Sequence, residues 1–358
     1  MSDLPLRADL VGEVPYGAPT DQVPVRLNVN ENPYAPPAEV VAAMTAATAD
    51  AIAAANRYPD REALALRHAL ADYVGVAPDQ VWPANGSNEV MHQMLGALGG
   101  PGRTLVSFTP TYSMYPVYAR DTNTRYVTAA RRPDHTIDLA VAARVIESER
   151  PSVVVVASPN NPTGGLLSRG EVLRLHELVA PHGVLVVDEA YVEFAPPESS
   201  AVALLPALPR LVVLRTMSKA WGLAGLRVGY AVADAEVVAA LRLVRLPYHL
   251  SALTQAAAAA ALAYRDVLLA PVAEVISERD RLAAWLADHD VPAAPSQANF
   301  ILMGPFADAP AVFAALLDRG VLVRETGGPG YLRASIGTPQ ENEALREALL
   351  DVLPGGRS

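Results

Sequence analysis

The chain has 358 residues, half of them hydrophobic, and a net charge of −10. That length accommodates one large domain with a smaller one, or two of ordinary size, and the acidic balance argues against a nucleic-acid partner while leaving room for a local basic pocket. There are no cysteines, which excludes disulfides, thiolate nucleophiles and Cys–zinc sites, and the seven histidines form no i, i+4 pair or carboxylate cluster, so no metal is expected.

The start, MSDLPLRADLVGEV, lacks a basic segment and an apolar run, so no signal peptide is read there. No apolar run elsewhere reaches spanning length, and a soluble cytoplasmic protein is the expectation. Residues 1–35 read as an extended arm holding Tyr16 and the turn-rich LNVNENP, with Asn30 inside it. Glu39–Ala55 reads as a helix, and Asn56-Arg57-Tyr58-Pro59-Asp60 as a turn. Glu62–Val74 is an amphipathic helix with Leu64, Leu66, Ala69, Leu70 and Tyr73 on its core side. A strand over Val81–Ala84 leads through Gly86-Ser87-Asn88 into a helix ending at Leu98. Such a turn offers free backbone N–H groups to an anion, although most are only caps.

Thr104–Phe108 is a strand followed by Pro110-Thr111-Tyr112, where Tyr112 reads equally well as a packing residue. Arg125–Thr128 is a strand and Ile137–Ile146 a helix. Val153–Ala157 is wholly apolar, as in a parallel sheet covered on both faces, and ends in SPNNPTG with Asn161. After a helix at Glu171–Val179, the strand Val184–Val187 ends in Asp188-Glu189-Ala190-Tyr191. A carboxylate at the end of a buried strand is costly unless paired. Leu211–Leu214 runs as a strand into Thr216-Met217-Ser218-Lys219, Val228–Val232 is another strand, and Glu236–Val244 a helix. Tyr248 lies in PYHLS, and Ser251–Arg281 reads as strongly helical throughout. Residues 296–303 form a strand, Val312–Leu317 a helix, and Val321–Arg324 and Tyr331–Ile336 two short strands carrying Arg324 and Arg333. Most arginines sit on surfaces, but two on adjacent short strands are a less arbitrary arrangement. The terminal GGRS is expected to fray.

Lys219 is the only lysine; the other 27 of the 28 basic residues are arginine. A compositional bias explains why lysines are missing but not why one remains. A guanidinium stays protonated, whereas a lysine amine can be deprotonated by its surroundings and condense with an aldehyde, and pyridoxal 5′-phosphate (PLP) is the aldehyde cofactor that chemistry suggests. Thr216 and Ser218 can hydrogen-bond a phosphate, and the planar fork of Arg227 suits one.

The stretch RTMSKAWGLAGLRVGY, with LNVNENP, RYP, NGSNE, SPNNPTG and DEAY in order before it, resembles the fold-type I PLP-dependent aminotransferases. Its SKAxGLAGLRxGY form looks most like the histidinol-phosphate aminotransferase branch. The resemblance runs from about Tyr16 to Gly337. It implies an α/β fold: a large PLP-binding domain at 45–245 with a mostly parallel seven-stranded sheet between helices. A smaller α+β domain follows at 246–358, to which the arm at 1–44 contributes. It implies that Lys219 holds PLP and acts as the catalytic base. Ser87, Asn88, Thr216, Ser218 and Arg227 would hold the phosphate, and Tyr112 would stack on the ring. Asn161 and Tyr191 would meet the phenolic oxygen, and Asp188 the ring nitrogen. Tyr58 would reach the partner subunit's cofactor, which makes the enzyme a homodimer with shared sites. Tyr16, Asn30, Tyr248, Arg324 and Arg333 would take substrate. The implied reaction converts L-histidinol phosphate and 2-oxoglutarate to imidazole acetol phosphate and L-glutamate. An aromatic (phenylalanine) aminotransferase, a threonine-phosphate decarboxylase-like enzyme of the same fold, and a non-enzymatic α/β binding protein remain alternatives.

Overall fold

The structure is a computed structural model that describes residues 4–352; the GGRS tail and Met1–Asp3 lie outside them. Twelve strands and twelve α-helices follow in chain order among the described residues. The first is β1 (Val25–Arg26), then α1 (Ala38–Ala53), α2 (Leu64–Val74), β2 (Val81–Asn85), α3 (Gly86–Leu98), β3 (Thr104–Thr109), α4 (Tyr115–Asp121) and β4 (Arg125–Ala130). Next come α5 (Leu139–Glu149), β5 (Val153–Ala157), α6 (Arg169–Val179), β6 (Val184–Asp188), β7 (Leu211–Thr216), β8 (Val228–Ala233) and α7 (Ala235–Val244). The C-terminal part holds α8 (Ala252–Leu262), α9 (Arg265–Leu269), α10 (Val272–Asp288), β9 (Phe300–Met303), α11 (Ala309–Asp318), β10 (Val321–Leu322), β11 (Arg324–Glu325), β12 (Leu332–Ser335) and α12 (Pro339–Val352).

Seven strands form one sheet in the order β2-β8-β7-β6-β5-β3-β4. Only β8 runs against the rest, pairing antiparallel with both β2 and β7. This is the expected α/β architecture. Because side chains alternate across a strand, the run VVVVA in β5 serves both faces. Val153 and Val155 pack with Val90, Met94 and Leu241 on one side. Val154 and Val156 pack with Ile146 and Leu175 on the other. The covering helices start on clear signals: Asp138 accepts from the amides of Ala140 and Val141 ahead of α5, and Ser168 forms a capping box with Glu171 ahead of α6.

Two small sheets lie beyond it. β11-β12-β9 is antiparallel, and its register sets Arg324 directly opposite Arg333. β1 pairs in parallel with β10, which carries the N-terminal segment across to the C-terminal part of the chain.

Three expectations are corrected. The helical stretch Ser251–Arg281 is not one rod: it is broken into α8, α9 and α10, and the chain bends by 82° after α8. Leu64 does not face the core but is 51 % exposed at the first position of α2, while Arg67 is buried and donates to the Pro78 carbonyl at 3.0 Å. Its guanidinium lies 5.9 Å from the Trp82 ring, so the inward face of α2 accommodates a cation. Helices α4 and α12 were not expected at all. Among the described residues no single helix is long and apolar enough to cross a membrane.

Candidate active site

In an open parallel sheet the carboxyl ends of the strands form the ligand-binding edge. Here that edge supplies Ser87 after β2, Tyr112 after β3, Asn161 after β5, Asp188 at the end of β6, and Thr216 to Lys219 after β7. Because β8 is reversed, its beginning lies at the same edge, which is why Arg227 joins them. A cavity of ≈ 430 Å³ opens there. It is closed on the other side by Tyr16, Asn28 to Asn30, Arg324 and Arg333.

Lys219 Nζ donates to the Val29 carbonyl at 2.9 Å and lies 5.9 Å from the centre of the Tyr191 ring. Burial lowers its pKa to about 7; the charges of Arg333 and Arg227 act in the same direction, and Glu31 opposes them. Asp188 is the counterpart. Burial raises its carboxyl to about 6, although Tyr115 donates to Oδ2 at 3.0 Å and the Ala190 amide to Oδ1 at 3.2 Å. An amine and a carboxyl are thus both brought toward neutrality in one cavity, a pattern typical of proton-transfer sites.

At one end of the cavity, α3 begins at Gly86 with its first amides unpaired within the helix, and Arg227 stands beside it. Gly86 adopts φ +81°, which favours glycine, and a Cβ at Gly229 would sit 2.0 Å from the Ser87 amide, so the two glycines permit this close approach. Arg227 Nη1 donates to Ser218 Oγ at 3.2 Å, and the Ser218 amide to Thr216 Oγ1 at 3.1 Å. Amides, hydroxyls and a guanidinium converging on one spot, with no carboxylate among them, suit a phosphate dianion.

The opposite wall is a relay through Tyr191. Its hydroxyl receives bonds from Asn30 Nδ2 at 3.0 Å and Asn161 Nδ2 at 3.3 Å. Asn161 Oδ1 accepts from Arg333 Nη1 at 2.6 Å, and Arg333 Nη2 donates to the Asn28 carbonyl at 2.8 Å. Arg324 reaches the Gly17 carbonyl at 3.2 Å. Arg333 Nε and Arg324 Nη1 are buried without a hydrogen-bond partner among the described residues. Two unsatisfied guanidinium donors beside a cavity call for an anionic ligand. Tyr112 OH lies 3.5 Å from Asn88 Oδ1, and Ser113 Oγ 3.5 Å from Tyr16 OH at the rim.

The cavity therefore gathers Tyr16, Asn30, Ser87, Asn88, Tyr112, Asn161, Asp188, Tyr191, Thr216, Ser218, Lys219, Arg227, Arg324 and Arg333. It does not gather Tyr58 or Tyr248. These two stack on each other, centroids 4.4 Å apart, at 80 % and 40 % exposure and away from their own chain's cavity. Tyr248, read from the sequence as a substrate residue, does not line this chain's cavity: its ring packs on Tyr58 in the exposed turn before α2. Sequence reasoning missed Tyr115, the hydroxyl that holds Asp188. The spacing Tyr112-x-x-Tyr115 at a helix start was the available signal. It also missed the main-chain carbonyls of Asn28 and Val29, which leave no trace in residue type.

The aminotransferase class I and II family profile matches residues 22–349. The histidinol-phosphate aminotransferase of Thermobifida fusca (strain YX) is 52 % identical over 353 residues, covering 98 % of this chain and 96 % of that protein. Histidinol-phosphate aminotransferase 3 of Burkholderia lata is 53 % identical, covering 99 % and 97 %. Among solved structures, histidinol-phosphate aminotransferase from Sinorhizobium meliloti, in complex with pyridoxal-5′-phosphate, superposes with a TM-score of 0.88 at 27 % identity and 97 % coverage of both chains. With this profile spanning most of its length and relatives at half identity end to end, the chain belongs to the class I and II aminotransferase family.

Proposed function

We propose that this enzyme is a PLP-dependent aminotransferase that moves the amino group of L-histidinol phosphate to 2-oxoglutarate, giving imidazole acetol phosphate and L-glutamate in histidine biosynthesis. The observation that carries the reading is the single lysine, poised near neutrality, in a cavity with an anion cradle at one end and, at the other, two arginines that each keep one buried donor unpaired among the described residues. Relatives at about half identity bear that activity in their names.

The cavity fits PLP on its own chemistry. Ser87, Asn88, Thr216, Ser218 and Arg227 would hold the phosphate; Tyr112 would cover the ring; Asn161 and Tyr191 would face its phenolic oxygen; and Asp188 would face its nitrogen. Bound there, PLP supplies an aldehyde that exchanges with amines and a ring that withdraws electrons from the substrate carbon. Lys219 would hold the cofactor, and its amine, near neutral at pH 7, can accept a proton and return it. Asp188, buried and bonded to Tyr115, is a carboxyl that ionises fully when a cation is set against it. Arg324 and Arg333 offer forks that take a phosphate or a carboxylate, so the two half-reactions can share one pocket. Asn30 and Asn161 keep the Tyr191 hydroxyl oriented, and Tyr16 covers the rim.

We further propose a cytoplasmic homodimer. Tyr58 and Tyr248 stack in an exposed position, and Leu243 and Leu246, a few residues before Tyr248 in sequence, are 85 % and 72 % exposed, which suits a surface covered by a second copy. Tyr58 would then serve the partner's phosphate site, with Tyr248 beside it. Residues 45–245 would act as the large cofactor domain, with 1–44 and 246–358 as the smaller one. The test is an absorbance titration of the purified protein with histidinol phosphate and, separately, phenylalanine. The cofactor band should be converted by histidinol phosphate and restored by 2-oxoglutarate. Conversion by phenylalanine at lower concentration, or release of carbon dioxide, would overturn the assignment.

A further inference from the structure

Strands β3, β4 and β5 end together around one side chain that does not touch the cavity. Arg131 follows β4, is partly buried, and makes no ion pair among the described residues; burial lowers its guanidinium to about 10. Its fork spans three acceptors on three segments. Nε donates to the Phe108 carbonyl, Nη1 to the His135 carbonyl and Nη2 to Asn160 Oδ1, each at 3.1 Å. Asn160 is fully buried and uses every polar atom it has. Its Oδ1 also accepts from Thr111 Oγ1 at 3.1 Å, and its Nδ2 donates to the Pro110 carbonyl at 3.1 Å and to Thr163 Oγ1 at 2.8 Å. Its amide donates to the Gly165 carbonyl at 2.8 Å, and its carbonyl accepts from Gly164 at 2.6 Å.

Pro110 and Thr111 lead directly into Tyr112, and Asn161 follows Asn160. These are the residues proposed to cover the cofactor ring and to meet its phenolic oxygen. A guanidinium without a carboxylate is an expensive way to stabilise a loop, because burial of the charge is not offset by a counter-charge. Fixing two loops to a common point is a task its three-way geometry fits and an ammonium does not.

We propose that Arg131 is a positioning residue for amino transfer: acting through Asn160, it sets the spacing between Tyr112 and Asn161 on either side of the cofactor. This rests on the PLP reading above. Arg131→Met keeps the bulk and removes every donor. Losing one charge-assisted bond is worth about tenfold. The folded variant is therefore expected to bind PLP about tenfold more weakly, measured by equilibrium dialysis, and to lose about tenfold in kcat. KM for histidinol phosphate should change less than about twofold. Arg131→Lys should restore neither, since it keeps the charge without the fork. PLP affinity and kcat within twofold of wild type in folded Arg131→Met, or full restoration by lysine, would overturn the proposal. If Arg131→Met does not fold, Thr163→Val removes one acceptor from Asn160 and should weaken PLP binding several-fold; unchanged binding there overturns the proposal. A wild type that neither binds PLP nor transfers amine would refute the function itself, which keeps the two failures distinct.

Discussion

Asp188→Asn should stabilise the cofactor-free protein while slowing the loaded enzyme. The carboxyl titrates near 3.8 in an unfolded chain and at about 6 in the fold. For an acid whose folded pKa is raised, the stability it contributes is intact below about pH 4 and is lost as the pH climbs through 6. Two units correspond to roughly 3 kcal/mol lost above pH 6. Asparagine escapes that loss. It has one acceptor oxygen, however, where the carboxylate accepts from both Tyr115 and Ala190. One forfeited bond costs about 1 kcal/mol. The net is about 2 kcal/mol in favour of the variant at pH 8, a rise in Tm on the order of several degrees, and about 1 kcal/mol against it at pH 4. Thermal unfolding of the PLP-free proteins should therefore give stability curves that cross between pH 4 and 6. In the loaded enzyme the sign reverses: the variant should retain PLP but lose roughly a hundredfold or more in kcat, because the carboxylate is then half of a buried charge pair. A variant less stable than wild type at pH 8, curves that run parallel with pH, or unchanged turnover would refute this reasoning.

Lys219 gives the opposite slope: its pKa is lowered from 10.5 to about 7, so the PLP-free wild type should gain stability as the pH rises from 7 toward 10. The gain is at most about 1.4 kcal/mol per unit, and it should vanish in Lys219→Met; an identical slope in the variant would count against a buried amine. Tyr58→Phe should weaken PLP retention, and a mixed dimer of Tyr58→Phe and Lys219→Ala chains should recover one intact site. A monomer in sedimentation, or no recovery, removes the shared site. Arg324→Gln and Arg333→Gln should each cost about tenfold to a hundredfold in kcat/KM with histidinol phosphate and with glutamate alike. Loss with glutamate alone would point to an apolar donor.

The sheet was legible because its strands carry their signal locally. Val153–Ala157 and Val184–Val187 are apolar runs that only a covered parallel sheet explains, and each ends on the polar residues that line the cavity. The cavity residues were legible for the same reason, being written as short segments next to those strand ends. What could not be read depends on distant partners. Tyr115 matters because α4 brings it to Asp188, 73 residues away in sequence. Ser251–Arg281 does contain one break signal, Pro271, which heads α10, whereas the break between α8 and α9 after Leu262 falls in an alanine-rich stretch that carries no glycine or proline. Leu64 is exposed at the start of α2 while Arg67 is buried with its guanidinium 5.9 Å from the Trp82 ring, a partner that the local pattern of α2 does not announce. Tyr58 and Tyr248 lie outside their own chain's cavity, so the role read for Tyr58 rests on the proposed second subunit.

The central claim is that the one lysine of this chain holds the cofactor, and it can be tested on the protein directly. PLP-loaded enzyme is reduced with borohydride and digested, and the added mass is located by peptide sequencing. The account predicts one pyridoxyl group per chain, on Lys219, and none after prior treatment of the loaded enzyme with histidinol phosphate. Enzyme that keeps its PLP after reduction while Lys219 remains unmodified would contradict it.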